Sequence, residues 1–115
     1  MTDEFLDNWS RQMRKGVLEL YVLNALRGER LYGYDLVRRL RDVDSLIITE
    51  GTLYPLLARL KREGLVETTL EESSEGPARK YYRLAPRGEA ALEHMNQHWQ
   101  QIVHGIEATR KERSS

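Results

Sequence analysis

The residues best equipped for chemistry lie in one stretch, residues 51–66, which reads GTLYPLLARLKREGLV. Arg59 and Arg62 carry guanidinium groups that can bond guanine edges or phosphate oxygens. The hydroxyls of Thr52 and Tyr54 can anchor phosphate. A second basic set follows in residues 79–84, RKYYRL, where Arg79 and Lys80 are placed to reach a nucleic-acid backbone. Each of these residues also has a plain alternative. A helix can carry a solvated basic face, and Lys or Arg on a hairpin edge discourages strand addition without any ligand.

Other chemistries find little support. The chain has no cysteine, so disulfides, thiolate metal sites and cysteine nucleophiles are excluded. His94 and His98 are four apart and could share a metal ion, but no third ligand lies near them, and a solvated helix face is the better reading. No nucleophile elbow, phosphate loop or zinc motif orders the Ser, His and carboxylate residues. The expectation is a protein that is not an enzyme and holds no metal or cofactor.

Eighteen basic and eighteen acidic residues cancel, so bulk charge gives no sign of a polyanionic partner. The distribution is uneven. Arg38, Arg39 and Arg41, then Arg59, Lys61 and Arg62, then Arg79, Lys80 and Arg83 gather positive charge in the middle of the chain. Asp3, Glu4 and Asp7 and the run Glu71, Glu72 and Glu75 lie elsewhere. No apolar run approaches the ~20 residues of a membrane span, and the N-terminus is acidic. A cytoplasmic protein with no membrane partner is expected.

The elements that must hold these residues can be read from periodicity. Leu53, Leu56, Leu57 and Leu60 fall at i, i+3, i+4 and i+7, an apolar helical stripe with Tyr54, Pro55, Ala58, Arg59 and Arg62 opposite and Lys61 at the margin. Thr49 or Thr52 can cap this helix, with a start near Thr49 favoured, and Gly64 suits a left-handed C-cap. Upstream, Phe5, Trp9, Met13, Val17, Leu20, Leu23 and Leu26 define a long first helix over about residues 5–26, ended by Gly28. Tyr32, Leu36, Val37 and Leu40 define a second, and Gly33 near its start would let another element approach closely. Leu46, Ile47 and Ile48 form a short connector to the third helix.

Downstream, residues 65–70 read as a strand, 73–77 as a loop and 79–84 as a returning strand, with Tyr82 and Leu84 inward and Arg79, Tyr81 and Arg83 outward. A last helix is expected over about residues 88–110. Its apolar positions Leu92, Met95, Trp99, Ile102 and Ile106 repeat at 3, 4, 3 and 4, a narrow seam that suits a second helix. Residues 111–115 have nothing to bury. The fold class is mainly α with a small β-hairpin (α+β): a winged helix-turn-helix over residues 1–85 and a C-terminal dimerisation helix with a frayed tail over 86–115, together one structural unit.

Three blocks in this order carry a family resemblance: LYGYDL at residues 31–36, EGTLYPLL at 50–57 running to GLV at 64–66, and GPARKYYRL at 76–84. With them the chain resembles the short branch of the PadR family of winged-helix transcriptional regulators. It departs at Ala85, where threonine is common, which bears on the capping of the last helix. The resemblance implies a homodimeric repressor of a pseudo-palindromic double-stranded operator. It implies dimerisation through the first and last helices, and release of DNA when a small aromatic effector binds. It also places Trp99 where related members line a pore between subunits, although plain dimer packing suits the same position. A winged-helix module used only for protein association is the alternative, and a salt-dependent interaction with DNA separates the two.

Overall fold

The computed structural model describes residues 3–42 and 48–113. In chain order the elements are α1 (Asp3–Ala25), β1 (Leu31–Tyr32), α2 (Gly33–Arg41), α3 (Glu50–Arg62), β2 (Val66–Ser73), β3 (Gly76–Leu84) and α4 (Pro86–Arg113). Leu46 and Ile47 of the expected connector lie outside the described residues.

The leucine stripe of α3 organises the core. Leu53, Leu57 and Leu60 are fully or almost fully buried, together with Leu36 and Val37 of α2 and Val22 and Leu23 of α1. Burial of each such side chain stabilises the fold by roughly 1.5–3 kcal/mol. Tyr82 and Leu84 of β3 close the core from the sheet side, as strand alternation predicts, while Arg79 and Arg83 stay exposed.

The sheet has three strands in the order β1-β3-β2, all antiparallel. Tyr32 was expected within the second helix; instead Leu31 and Tyr32 pair with Tyr82 and Tyr81, and extended Tyr32 (φ −83°, ψ 159°) becomes the N-cap of α2. Two residues are too few to show alternation, so only their pairing with β3 makes them a strand. The hairpin also differs from expectation. Gly76 and Pro77 belong to β3, and the turn is only Ser74 and Glu75, steadied by the Glu75 N–H donating to Ser73 Oγ at 3.3 Å. Between the Glu71–Arg79 and Ser73–Gly76 pairs, Glu72 stands against both Pro77 and Ala78. This β-bulge is where a residue without an N–H can be tolerated in a ladder.

Helix α4 begins two residues before the expected start and runs for 28 residues. Proline at its first position needs no hydrogen-bond partner, and the Ala85 carbonyl accepts the Glu89 N–H at 2.9 Å, so the helix starts without a side-chain cap. The Ala85 N–H donates to the Leu65 carbonyl at 3.0 Å, which ties the helix start to the end of α3. A reciprocal amide pair, Asn24 with Asn96, 3.0 Å in both directions, joins α1 to α4.

Both long helices overhang the core, and the molecule measures 62 × 33 × 22 Å. On α1 the first half leaves Phe5, Leu6, Trp9 and Met13 exposed. On α4 the expected seam is divided. Leu92 is buried in the core of the chain itself and Met95 packs against that core, whereas Ile102 and Ile106 are exposed. Leu92 therefore has no free surface for a partner, because the start of α4 is needed to cover α1 and the sheet. Trp99 is half-buried at the boundary between the two regimes.

Candidate nucleic-acid interface

Helix α3 is fixed at both ends by local sequence. Thr49 is the N-cap: its Oγ1 accepts the Thr52 N–H at 3.2 Å, and its carbonyl accepts the Leu53 N–H at 2.9 Å. The Thr52 hydroxyl lies 3.1 Å from Thr49 Oγ1 and remains exposed. Pro55 then sits inside the helix on its exposed side, leaving the Gly51 carbonyl without its usual partner. At the other end Leu65 N–H donates to the Leu60 carbonyl and Gly64 N–H to that of Lys61, with Gly64 at φ +80°. This is a Schellman stop, and it turns the chain directly into β2.

Tyr54 is held by the second helix. A Cβ placed on Gly33 would lie 2.7 Å from the Tyr54 hydroxyl and ring edge, so the missing side chain is what admits the ring. Burial raises the Tyr54 pKa, with smaller contributions from Glu50 and Tyr32, so the phenol stays protonated and can donate a hydrogen bond. Tyr54 as a whole is 38% exposed, with its hydroxyl end lying against Gly33.

Arg59 is placed differently from the expectation of a free outward guanidinium. It reaches across to Glu19 of α1 and also pairs with Glu63 at 3.2 Å. A guanidinium engaged by two carboxylates fixes α3 against α1; it is not presented freely to a ligand. Arg62, one turn on, is exposed and has no ion pair among the described residues, and the same holds for Lys61.

On the wing, Arg79 lies opposite Glu71 in register but stacks its guanidinium over Tyr32, 4.8 Å from the ring centre. Lys80, opposite Leu70, is exposed and carries no ion pair among the described residues. Arg83 is neutralised by Glu67 at 3.0 Å. Around Tyr32 the stacking continues: Tyr81 at 5.9 Å, Tyr34 at 6.3 Å, Arg30 over Tyr81 at 4.4 Å and Arg38 over Tyr34 at 5.9 Å. Arg30 also pairs with Glu71, and that hydrogen bond raises its pKa. Such contacts contribute about 0.5–1 kcal/mol each at exposed sites and order long side chains that would otherwise be mobile.

This aromatic and cationic cluster brings the wing and the start of α2 together, and sequence reasoning did not find it. Tyr34 and Arg38 are separated by four residues on α2, a usable signal, but Tyr32 and Tyr81 meet only through the unforeseen strand β1. The site as assembled is a short helix with an exposed polar face. An ordered basic hairpin and an aromatic helix start are joined to it. It contains no nucleophile and base in register. Among the described residues no three His, Cys, Asp or Glu gather to hold a metal ion, and His94 and His98 stay exposed on α4. Among the described residues no helix is long and apolar enough to cross a membrane.

Several known proteins are similar to this chain in fold and sequence. A PadR-like structure from Bacillus cereus is 40% identical, with a TM-score of 0.77, over 84% of this chain and 94% of that one. A PadR family regulator from Eggerthella lenta is 33% identical, with a TM-score of 0.80, over 90% of each chain. A transcriptional regulator of Mycobacterium tuberculosis is 32% identical over 82 residues, 71% of this chain and 75% of the relative. The model of the transcriptional regulator PadR-like family matches residues 22–94, which include α2, α3, the wing and the start of α4. A helix-turn-helix pair built on Gly33 and Tyr54, a basic wing and these likenesses together lead to one conclusion: the chain belongs to the PadR-like family of DNA-binding transcriptional regulators.

Proposed function

We propose that the protein is a homodimeric repressor of the cytoplasm. It lays α3 in the major groove of each operator half-site and the wing along the adjacent backbone. The observation that carries this reading is that both α3 and the wing keep cations free of ion pairs. Arg59 and Arg83 are neutralised by carboxylates within the fold, whereas Lys61, Arg62, Arg79 and Lys80 carry no ion pair among the described residues. These uncompensated cations lie on α3 and the wing, the two elements that a winged helix brings to DNA. Arg62 and Tyr54, with Thr52 at the helix start, are the candidates for base and phosphate contacts beside Pro55. Arg59 holds α3 in position.

The test separates base from backbone contacts. Arg62→Ala should weaken binding to the cognate operator by about 1–3 kcal/mol if it bonds a guanine edge, with little loss on scrambled DNA. Arg79→Ala should weaken binding to all sequences and reduce the slope of log affinity against log salt by about one contact per half-site. Binding isotherms for both variants at four salt concentrations give the answer, and two parent-like variants would rule this surface out.

Dimerisation rests on the free half of the α4 seam, Trp99, Ile102 and Ile106, with Met95 at its margin and the exposed stripe of α1 beside it. A two-fold pair of half-buried Trp99 rings can sandwich a flat aromatic effector, which releases DNA only through a difference in affinity between dimer geometries. Trp9 is also exposed, so the reporter is Trp99 emission in a Trp9→Phe background, titrated with planar dyes while operator binding is followed. Quenching without loss of operator affinity would make Trp99 a packing residue only.

A further inference from the structure

The α1 helix has a second polar stripe that neither the core nor the apolar overhang uses. Arg11, Arg14 and Lys15 lie on the side of α1 away from Phe5, Leu6, Trp9 and Met13, and they line a groove of about 550 Å³ whose other wall is α3. Arg59 and Arg62 line that wall, so five cations face one open space, and among the described residues no carboxylate lines it. Arg59 is satisfied by Glu19 and Glu63, and Arg14 donates to Ser10 at 3.2 Å. Arg11, Lys15 and Arg62 have no ion pair among the described residues, although Asp7 stands only one turn before Arg11. Mutual repulsion of these cations opposes folding, and an anion at the groove would relieve it.

We propose that this stripe of α1 is a further DNA-backbone contact, holding the phosphates that run alongside the half-site occupied by α3. The inference rests on the DNA-binding reading given above. Continuity is the first argument. Thr52, Pro55 and Arg62 line the groove and also belong to the exposed face of α3, so a strand crossing that face passes directly onto Arg11, Arg14 and Lys15. Charge number is the second. A small organic anion neutralises one or two cations, whereas a backbone presents a phosphate about every 3.4 Å per strand and gains from releasing a counterion at each contact. The groove floor does not argue for an amphiphile, because Leu18 and Leu56 pack against the core and Ile48 is part of it. Leu18 and Leu56 are half-buried at the edge of the fold, and Ile48 is buried.

The experiment compares the parent with a triple variant, Arg11→Gln, Arg14→Gln and Lys15→Gln, on cognate and scrambled duplexes between 0.05 and 0.3 M salt. Arg11 and Lys15 are exposed and Arg14 is half-buried beside Ser10, so thermal melting and sedimentation verify that fold and assembly are kept. The expected result, on both duplexes alike, is a salt slope shallower by about two to three for each half-site, roughly twice that for the dimer, and an affinity lower by about tenfold to a hundredfold per half-site at 0.15 M salt. The preference for the cognate sequence should be unchanged, since α3 is intact. Unchanged slope and affinity in a triple variant that folds normally would overturn the α1 contact while leaving the α3 and wing assignment standing. So would binding of inorganic phosphate, titrated separately as a small-anion probe, that the triple substitution abolishes without altering DNA affinity, which would make the groove a small-anion site. A parent that binds neither duplex would overturn the DNA-binding reading, and this contact with it.

Discussion

Ile106→Glu should convert the protein from dimer to monomer and lower operator affinity by about 10²–10⁴-fold, the advantage that two linked half-site contacts have over one. Ile106 is 55% exposed and Ile102 41%, a high exposure for two isoleucines a turn apart on a helix that is otherwise polar in this region. They lie beyond the point where α4 leaves its own protomer, and α1 overhangs with a matching stripe led by Phe5 and Trp9. Apolar surface of this extent favours a second copy of the same chain. A carboxylate placed there would have to be buried without a partner twice, once from each protomer, which is why a single substitution has so large an effect. Because the residue touches nothing in its own core, the monomer should melt as a folded protein. His104→Glu, which adds the same charge about 160° away around the helix, should leave both assembly and binding unchanged. Sedimentation velocity and operator titration on the two variants check this, and a dimeric Ile106→Glu would place the interface elsewhere.

Gly88→Ala should cost about 3 kcal/mol of stability, the upper part of the range for forced overpacking. Gly88 is buried where the first turn of α4 crosses the chain leaving α3, and a Cβ there would overlap the Leu65 carbonyl oxygen. That carbonyl cannot move aside cheaply. It belongs to the residue closing the Schellman stop of α3, and it accepts the Ala85 N–H that sets the start of α4. Relief therefore requires α4 to tilt away, which opens the packing of Leu92 and separates Asn24 from Asn96. Urea denaturation at fixed protein concentration should show a midpoint lower by about 1–3 M, given the usual slope for a domain of this size. A midpoint within the error of the parent would mean that the crossing is looser than described.

What was legible in the sequence follows from how local each signal is. The four helices, the Thr49 cap, the Gly64 stop and the inward Tyr82 and Leu84 depend on periodicity and on residues within a few positions, and they stand in the structure. Gly33 was legible as a close approach, but its partner, the Tyr54 ring, was not, because the contact joins two helices. Strand β1 was missed because its two residues gain their identity from β3, about fifty positions away. The extent of the hairpin was misjudged because Gly76 and Pro77 read as loop, whereas a bulge accommodates them within a strand. Among the site residues, Arg62, Arg79 and Lys80 are exposed as expected. Arg59 shows the limit of a helical wheel: the wheel puts it outside the core but cannot know that Glu19 of α1 waits there. The α4 seam shows the same limit, since a uniform 3-4 repeat serves the protomer at Leu92 and is left open at Ile106.

The central claim is that the face built from α3 and the wing binds operator DNA through the cations the fold leaves unpaired. The most direct measurement is the affinity of the parent protein for its own promoter duplex and for a scrambled duplex of equal length, each across a series of salt concentrations. Log affinity should fall linearly with log salt on both, with a slope of several contacts per dimer, and the promoter should be preferred by a margin that persists at every salt concentration. Affinity that is independent of salt, or equal for the two duplexes throughout, would contradict the account.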